Sequence, residues 1–387
     1  MFSSSRPFGY NQIVIEISTD NARGSLFGQN TEEIRGAAIE AGLPAYRGSQ
    51  VAEWLYRKLQ PEMGGGFGAD FATMTDLPQS VRQLFGEKFD LPTLALTRSQ
   101  TDPHDGTIKA LATLIDGAHP IECVLLPDDK RVSVCLSTQA GCPMGCAFCA
   151  TGTQGLTRNL TAGEIVSQYL LLQSLTTRRI SHIVLMGMGE PLLNYDAVLK
   201  AIRILNVECG IAMRHITLST VGIVPNIDKL AEENLQLTLA VSLHAPNDTL
   251  RTRLVPVNKT YPLSRLMNSC RNYARHTGRR LTFEYVLLKG VNDEPEHARE
   301  LALLIRGMGA AVNVIPYNPT TVAEAFGRPD QGRIVAFRQV LEHAGIVVTQ
   351  RKERGRQIAA ACGQLVTEAA RSRPMDRVLP MVTAEAV

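Results

Sequence analysis

The residues with the most evident chemistry are three cysteines on one short stretch, Cys142-Pro143-Met144-Gly145-Cys146-Ala147-Phe148-Cys149. A CxxxCxxC loop offers three thiolates, one for each of three irons of a [4Fe–4S] cube, and leaves the fourth iron open to an outside ligand. Gly141 and Gly145 suit the tight turns such a loop needs. A structural zinc site is the competing reading. Zinc takes four ligands, usually as two paired spacings, and no second cysteine pair lies downstream. The chain has eight cysteines, and in a long chain without a signal-like start cysteines more often bind metal or react than form structural disulfides.

A second set of candidates is polar and lies further along. Gly187-Met188-Gly189-Glu190-Pro191 carries glycines that let backbone approach a ligand and an acid that can take an ammonium. Ser219, the run Ser242-Leu243-His244, and Asn318 each follow or end an apolar run. Singly, a capping or turn role fits each as well as ligand binding does. At one common rim they would form a cofactor pocket.

The elements that must position these groups follow from the pattern. Short, apolar, β-branched runs at 131–138, 182–186, 216–220, 235–243, 281–288 and 311–316 read as strands. Helical stretches near 161–176, 195–207, 224–233, 262–276 and 295–308 lie between them. Thr161 and Glu164 have capping-box spacing. Alternating strands and helices imply βα units around a parallel sheet, whose chemistry sits at the C-terminal strand ends. Residues 31–100 read as helical. Thr31 starts one helix with Glu32 and Glu33 in its first turn, and 42–44 ends it; Val51, Trp54, Leu55 and Lys58 mark a second near 49–59. The glycine-rich run 64–68 reads as a connector. Residues 1–30 read as a flexible extension and 367–387 as a tail.

With these residues set out, the chain resembles the RlmN family of radical S-adenosylmethionine (SAM) RNA methyltransferases. The likeness is carried by 135–152, 158–161, 187–194, 217–225, 242–247 and 360–365, and it spans about 32–366. Cys362 is the discriminating feature. The resemblance implies an α/β fold, a partial (β/α) TIM-like radical SAM barrel over 101–366, with a small helical N-terminal domain over 31–100 serving as RNA-binding accessory. It implies a [4Fe–4S] cluster on Cys142, Cys146 and Cys149, and SAM held by Gly189, Glu190, Ser219, Ser242, Leu243, His244 and Asn318. Two SAM molecules are implied per turnover. One methylates Cys362 and the other yields the radical that activates that methyl. Carbon 2 of an adenosine in 23S rRNA is the implied target, with tRNA beside the anticodon as a second one. Glu122 is the implied proton acceptor. Cys135 releases the product by attacking Cys362, which leaves a disulfide that must be reduced.

The chemistry calls for such residues. An amidine carbon is electrophilic, so ordinary methyl displacement cannot serve it and a radical route is needed. A covalent adduct needs a thiol to resolve it, and a base must remove the ring proton. The alternatives stay open at this point. Cys362 or Cys135 can be a small buried hydrophobe. A Cfr-type relative methylates carbon 8 with the same cysteines, although Pro191-Leu192 favours the RlmN side. Another radical SAM class, or a zinc-bound RNA-binding module, would need neither Cys135 nor Cys362. Two departures from the family are Arg356-Gln357-Ile358, where an acid is usual, and the atypical stretch 318–328.

Composition bounds the rest. With 44% hydrophobic and 20% charged residues the chain is an ordinary globular protein. No run of about 18 apolar residues occurs, which excludes a helical membrane span and makes the cytoplasm the expected location. A net charge of +3 neither demands nor forbids RNA. Basic clusters at Arg178-Arg179, at Arg271, Arg275, Arg279 and Arg280, and at Arg351-Lys352, Arg354 and Arg356 are candidates for phosphate contact, the last because it leads into Cys362. Trp54 is expected in the core. A flavodoxin or ferredoxin is the implied electron donor.

Overall fold

The structure, a computed structural model, describes residues 24–58, 66–91, 94–114, 119–320 and 326–365. Its centre is a ten-stranded sheet. A short parallel pair, β1 (Gly24–Ser25) with β2 (Phe89–Asp90), lies apart from it. An antiparallel meander starts the main sheet: β3 (Leu94–Thr101), β4 (Ile108–Leu114), β5 (Pro120–Pro127) and β6 (Val132–Cys135). A hairpin follows, β7 (Gln139–Cys142) with β8 (Gly155–Asn159). The parallel strands complete the sheet: β9 (Ile180–Leu185), β10 (Ile216–Thr220), β11 (Thr238–Ser242), β12 (Thr282–Leu287), β13 (Ala311–Pro316) and β14 (Val347–Gln350). The order is β14-β13-β12-β11-β10-β9-β6-β5-β4-β3, so the barrel is open between β14 and β3.

All six strands read from the sequence are present. The five crossover helices are present too, as Ala162–Ser174, Tyr195–Val207, Val224–Glu232, Leu263–Thr277 and Pro295–Leu304. Each buries an apolar stripe against the sheet at three- and four-residue spacing. In Tyr195–Val207 the stripe is Val198, Leu199, Ile202 and Leu205. Thr161 caps its helix as the spacing predicts: its Oγ accepts from the Glu164 amide, and the Glu164 carboxylate accepts from the Thr161 amide.

Three features differ from the sequence reading. The strand β3 begins at Leu94, inside the range read as helical, because Leu94 and Leu96 alternate onto one face and pair with β4. The remaining antiparallel strands, the β7–β8 hairpin and β14 are also additional. β8 and β14 are largely exposed and so lack an apolar signature. The second N-terminal helix is Ala45–Tyr56, starting earlier than read because Pro44 occupies its N-cap. The first is Thr31–Glu40, capped by Asn30 and Glu33. Glycines 64 and 65, the extension 1–23 and the tail lie outside the described residues, and Gly66–Gly68 form a 3₁₀ turn.

The N-terminal helices dock on the barrel through charge and close backbone contact. Glu208 accepts from both the amide and the hydroxyl of Thr31, at 3.0 and 2.7 Å. A Cβ at Gly28 would fall 2.3 Å from the Gly163 nitrogen, so that crossing tolerates only glycine.

Candidate active site

The cluster loop grows out of the β7–β8 hairpin. Gly141 has a φ of +79°, and a Cβ there would sit 2.0 Å from the Gly155 carbonyl oxygen. The hairpin therefore closes only with glycine at that position. The loop is held by main-chain bonds, from the Ala147 amide to the Leu254 carbonyl at 3.0 Å and from the Ala150 amide to the Gly363 carbonyl at 2.9 Å.

Cys142, Cys146, Cys149 and Cys362 face one cavity. The same cavity is lined by Gly189, Glu190, Ser219, Ser242, His244 and Asn318, with the Gly189 backbone hydrogen-bonded to Cys142. These residues come from the C-terminal ends of β9, β10, β11 and β13 or from the residues just beyond, where βα folds gather their chemistry. Ser219 and Ser242 bring their hydroxyls within 3.5 Å of each other on adjacent strands.

Burial sets the electrostatics. It pushes the Glu190 carboxyl up to about 7 against hydrogen bonds that favour the charged form. Glu190 is also a cap, for its oxygens accept from the Leu192 amide at 3.0 Å and the Val221 amide at 2.8 Å. Burial pushes the His244 imidazole down to about 3, so the ring is neutral. Its Nδ1 accepts from the Val286 amide at 3.1 Å, which leaves the proton on Nε2. Phe148 packs edge-on to that ring. Burial raises all three cluster-loop thiols, Cys142 to about 12.

Cys135 ends β6, buried behind Cys362, and its thiol is pushed up to about 12 by burial and by the neighbouring Cys362. Glu122 lies on β5 and is ion-paired with Lys109 at 3.1 Å, both side chains buried.

The comparisons with known proteins agree with one another. Residues 136–302 match the Radical SAM superfamily model. A protein of Thermosynechococcus vestitus named "Probable dual-specificity RNA methyltransferase RlmN" is 48% identical over 345 residues, covering 88% of this chain and 97% of its own. One of that name from Symbiobacterium thermophilum is 46% identical, covering 90% and 93%. The chain belongs to the RlmN family. A radical SAM methyltransferase from Sphaerobacter thermophilus, solved by crystallography, superposes with a TM-score of 0.83 at 46% identity, covering 88% of this chain and 99% of its own.

As an RlmN-family member the chain is a radical SAM RNA methyltransferase, and that family works with a [4Fe–4S] cluster and SAM. The residues present fit both groups. Among the described residues no three His, Cys, Asp or Glu side chains converge as a single-metal site does. The three thiols instead share one cavity wall, as a cube needs, with one thiolate per iron. Their raised affinity for protons is what cation binding reverses. In the same cavity the buried Asn318 Oδ1 has no hydrogen-bond partner, which leaves an acceptor for a ligand with N–H groups.

Against the residues expected in this RlmN site, the cavity omits three. Leu243 is wholly in the core, where its amide donates to the Glu284 carbonyl and its own carbonyl accepts from Arg251. Glu122 and Cys135 lie beside the cavity rather than on its wall. Gly187 and Gly189 line the cavity, and packing alone also requires glycine at both. A Cβ on either would come within 2.6–2.8 Å of Leu136–Gln139 atoms, so they let the β9 loop pack on the segment after β6. All eight cysteines are free thiols, so the expected Cys135–Cys362 disulfide is not a resident bond.

Sequence reasoning missed Glu284 and misplaced Arg351. Both line the cavity, where Arg351 has Cys362, Glu284 and Cys135 around it. Arg351 thus lines the cavity, half-buried. In the same cluster Arg354 is tied to Asp128 at 2.9 Å, and the exposed Arg356 lies 3.7 Å from Glu353. Arg178, Arg179, Arg271 and Arg279 each donate to a backbone carbonyl. Trp54 is buried as expected, with its indole N–H on Asp76 and the Lys58 ammonium over its ring.

Proposed function

We propose that this RlmN-family enzyme methylates carbon 2 of an adenosine in 23S rRNA, and of tRNA next to the anticodon, through an S-methylated Cys362. The observation that carries the reading is the placement of Cys362 in the cavity with Cys142, Cys146 and Cys149, with Cys135 buried behind it. No zinc-site or generic radical SAM reading accounts for that further pair of thiols. When bound, the cluster and two SAM molecules per turnover supply a methyl group and a hydrogen-abstracting radical. The chain's own residues do the rest. Cys142, Cys146 and Cys149 anchor the cluster. Glu190, Ser219, Ser242, His244 and Asn318 seat SAM, with Gly189 and Leu243 shaping the backbone around it. Cys362 carries the methyl carbon to the base. Glu122 takes the ring proton, and Cys135 attacks the Cys362 sulfur: the S–S bond forms as the Cys362 S–CH2 bond breaks, that carbon keeps the electron pair and takes a proton to become the methyl, and a reductant must open the disulfide.

The target adenosine must leave its stack to reach Cys362 in this cavity. The helical N-terminal segment is the accessory RNA contact, and a flavodoxin or ferredoxin is the electron donor. Among the described residues no helix is long and apolar enough to cross a membrane; the proposed setting is the cytoplasm. The test is mass spectrometry of nucleosides after anaerobic incubation of cluster-loaded protein with SAM, reductant and unmodified 23S rRNA or tRNA. The expected product is 2-methyladenosine, absent with Cys362→Ala. 8-Methyladenosine would move the chain to the Cfr-type branch. Deoxyadenosine without any methyladenosine would overturn the RNA target.

A further inference from the structure

Lys109 is a buried lysine that the mechanism above does not use. Its burial is costly unless the ammonium is paired. It has two partners, the Glu122 carboxylate at 3.1 Å and the carbonyl of Ala359 at 3.4 Å. Glu122 is the proposed base. Ala359 lies three residues before Cys362 in a left-handed conformation, φ +51°, unusual for a residue with a side chain. One ammonium thus bridges the base to the loop that carries the methyl.

The sheet register explains how this bridge arises. On β4 and β5, Lys109 opposes Val124 and Leu111 opposes Glu122, so Lys109 and Glu122 are diagonal neighbours on one face. On β5 and β6, Val124 opposes Cys135, which puts Cys135 on that face as well. Base, resolving thiol and lysine therefore share one side of the sheet, and the Cys362 segment lies over it. The stretch before Lys109 holds the same segment. Asp105 accepts from the Gly355 amide at 2.9 Å, and a Cβ at Gly355 would strike Thr107 at 2.8 Å.

We propose that Lys109 is the positioning residue of the proton-transfer step, holding Glu122 ionised and in register with the Cys362 loop through its bridge to Ala359. The inference rests on the reading of Glu122 as the base. A buried carboxylate without its cation neutralises itself by taking a proton, and a protonated acid cannot accept the one on the adenine ring. The earlier steps, methyl transfer to Cys362 and attack on the base, ask nothing of Glu122, and the Cys362 segment keeps its ties to Asp105, Ala150 and Thr151 without Lys109, so those steps should not depend on it.

The test uses cluster-loaded full-length protein and follows three products: methylated Cys362 by intact mass, the covalent RNA–protein adduct, and methyladenosine. Lys109→Met should methylate Cys362 at the wild-type rate, accumulate the adduct, and lose methyladenosine formation about a hundredfold, the scale of a general base. Lys109→Arg should recover to within about tenfold of wild type, since it restores the charge. In a Glu122→Gln background, Lys109→Met should cost nothing further, because both act at one step. If Lys109→Met does not fold, Lys109→Gln carries the same expectation. The inference is overturned if the lysine variants turn over normally, if their effect adds in full to that of Glu122→Gln, or if Cys362 methylation falls in parallel. Glu122→Gln that turns over like wild type would remove the base assignment itself, and this inference with it.

Discussion

Arg251 offers the sharpest test of how the SAM wall is held together. Its guanidinium is fully buried, and burial lowers its proton affinity to about 10. It donates to the Leu243 carbonyl at 3.1 Å, the Val221 carbonyl at 2.6 Å, the Ser242 carbonyl at 3.3 Å and the Asn258 side-chain oxygen at 2.9 Å. These bonds fasten the ends of β10 and β11, which present Ser219, Ser242 and His244 to the cavity. Arg251→Met fills much of the same volume but strands buried acceptors, at about 1–3 kcal/mol each. Relief from burying a cation offsets part of that loss. Taking the Leu243 and Val221 carbonyls as stranded, the net cost is about 3 kcal/mol. Unfolding entropy scales as about 2.1 cal/mol/K per residue, so in this chain the loss lowers the melting temperature by about 4 °C. Calorimetry should show that drop, and equilibrium binding should show weaker SAM affinity for the cluster-loaded variant. Arg251→Lys should fall between, since one ammonium cannot reach every carbonyl. A variant melting within about 1 °C of wild type with unchanged SAM affinity would refute the reasoning.

Other expectations follow from the same wall. Glu190→Gln should weaken SAM binding about 10- to 100-fold in a titration of cluster-loaded protein, the worth of one charge-assisted bond; unchanged affinity would remove Glu190 from the ammonium. His244 has a folded-state proton affinity depressed from 6.5 to about 3, so its stabilising contribution is full above pH 6.5 and is lost as pH falls toward 3. At pH 5 that loss is about 2 kcal/mol, and His244→Asn should flatten the pH dependence of the urea midpoint accordingly; parallel curves would contradict it. Cys146→Ala should abolish the iron–sulfur absorption on reconstitution, whereas Cys362→Ala should keep it. Cys135→Ala should accumulate an RNA–protein adduct on a denaturing gel, and an adduct-free variant would deny it the resolving role.

The parallel half of the fold was legible as far as β13 because those strands are mostly buried apolar runs between amphipathic helices; the exposed β14 was not. The antiparallel half was not. Its strands carry mixed patterns such as that of Leu94–Thr101, and only cross-strand pairing with Ile108–Leu114 decides them. The site divides in the same way. Cys142, Cys146, Cys149, Glu190 and Asn318 announce themselves by type and spacing, and all reach the cavity. Glu284 resembled any strand acid, and Arg351 read as one member of a basic surface run. Nothing local marks a charge that will be buried. Lys109 was silent for the same reason, its partner lying across a strand pair and its second contact 250 residues away.

That long separation bears on how the enzyme can work. Cys362 has no regular element of its own; its segment is positioned by what it bonds to. The Gly363 carbonyl accepts from Ala150 in the cluster loop, and the Leu365 carbonyl accepts from the Thr151 hydroxyl at 2.7 Å. Gln364 donates to the Pro319 carbonyl at 2.9 Å, beside Asn318 on the SAM wall. On the upstream side Arg354, Gly355 and Ala359 are fastened to Asp128, Asp105 and Lys109. Cys362 is thus referenced to the Cys142–Cys149 loop, to the segment of Asn318 and to strands β4 and β5 at once. In the proposed mechanism this thiol receives a methyl, presents it to a radical and is then attacked by Cys135, three partners in turn. A loop tied to all three by a few separate hydrogen bonds can shift among them by exchanging one tie at a time, which a thiol on a packed helix could not do without disturbing the core.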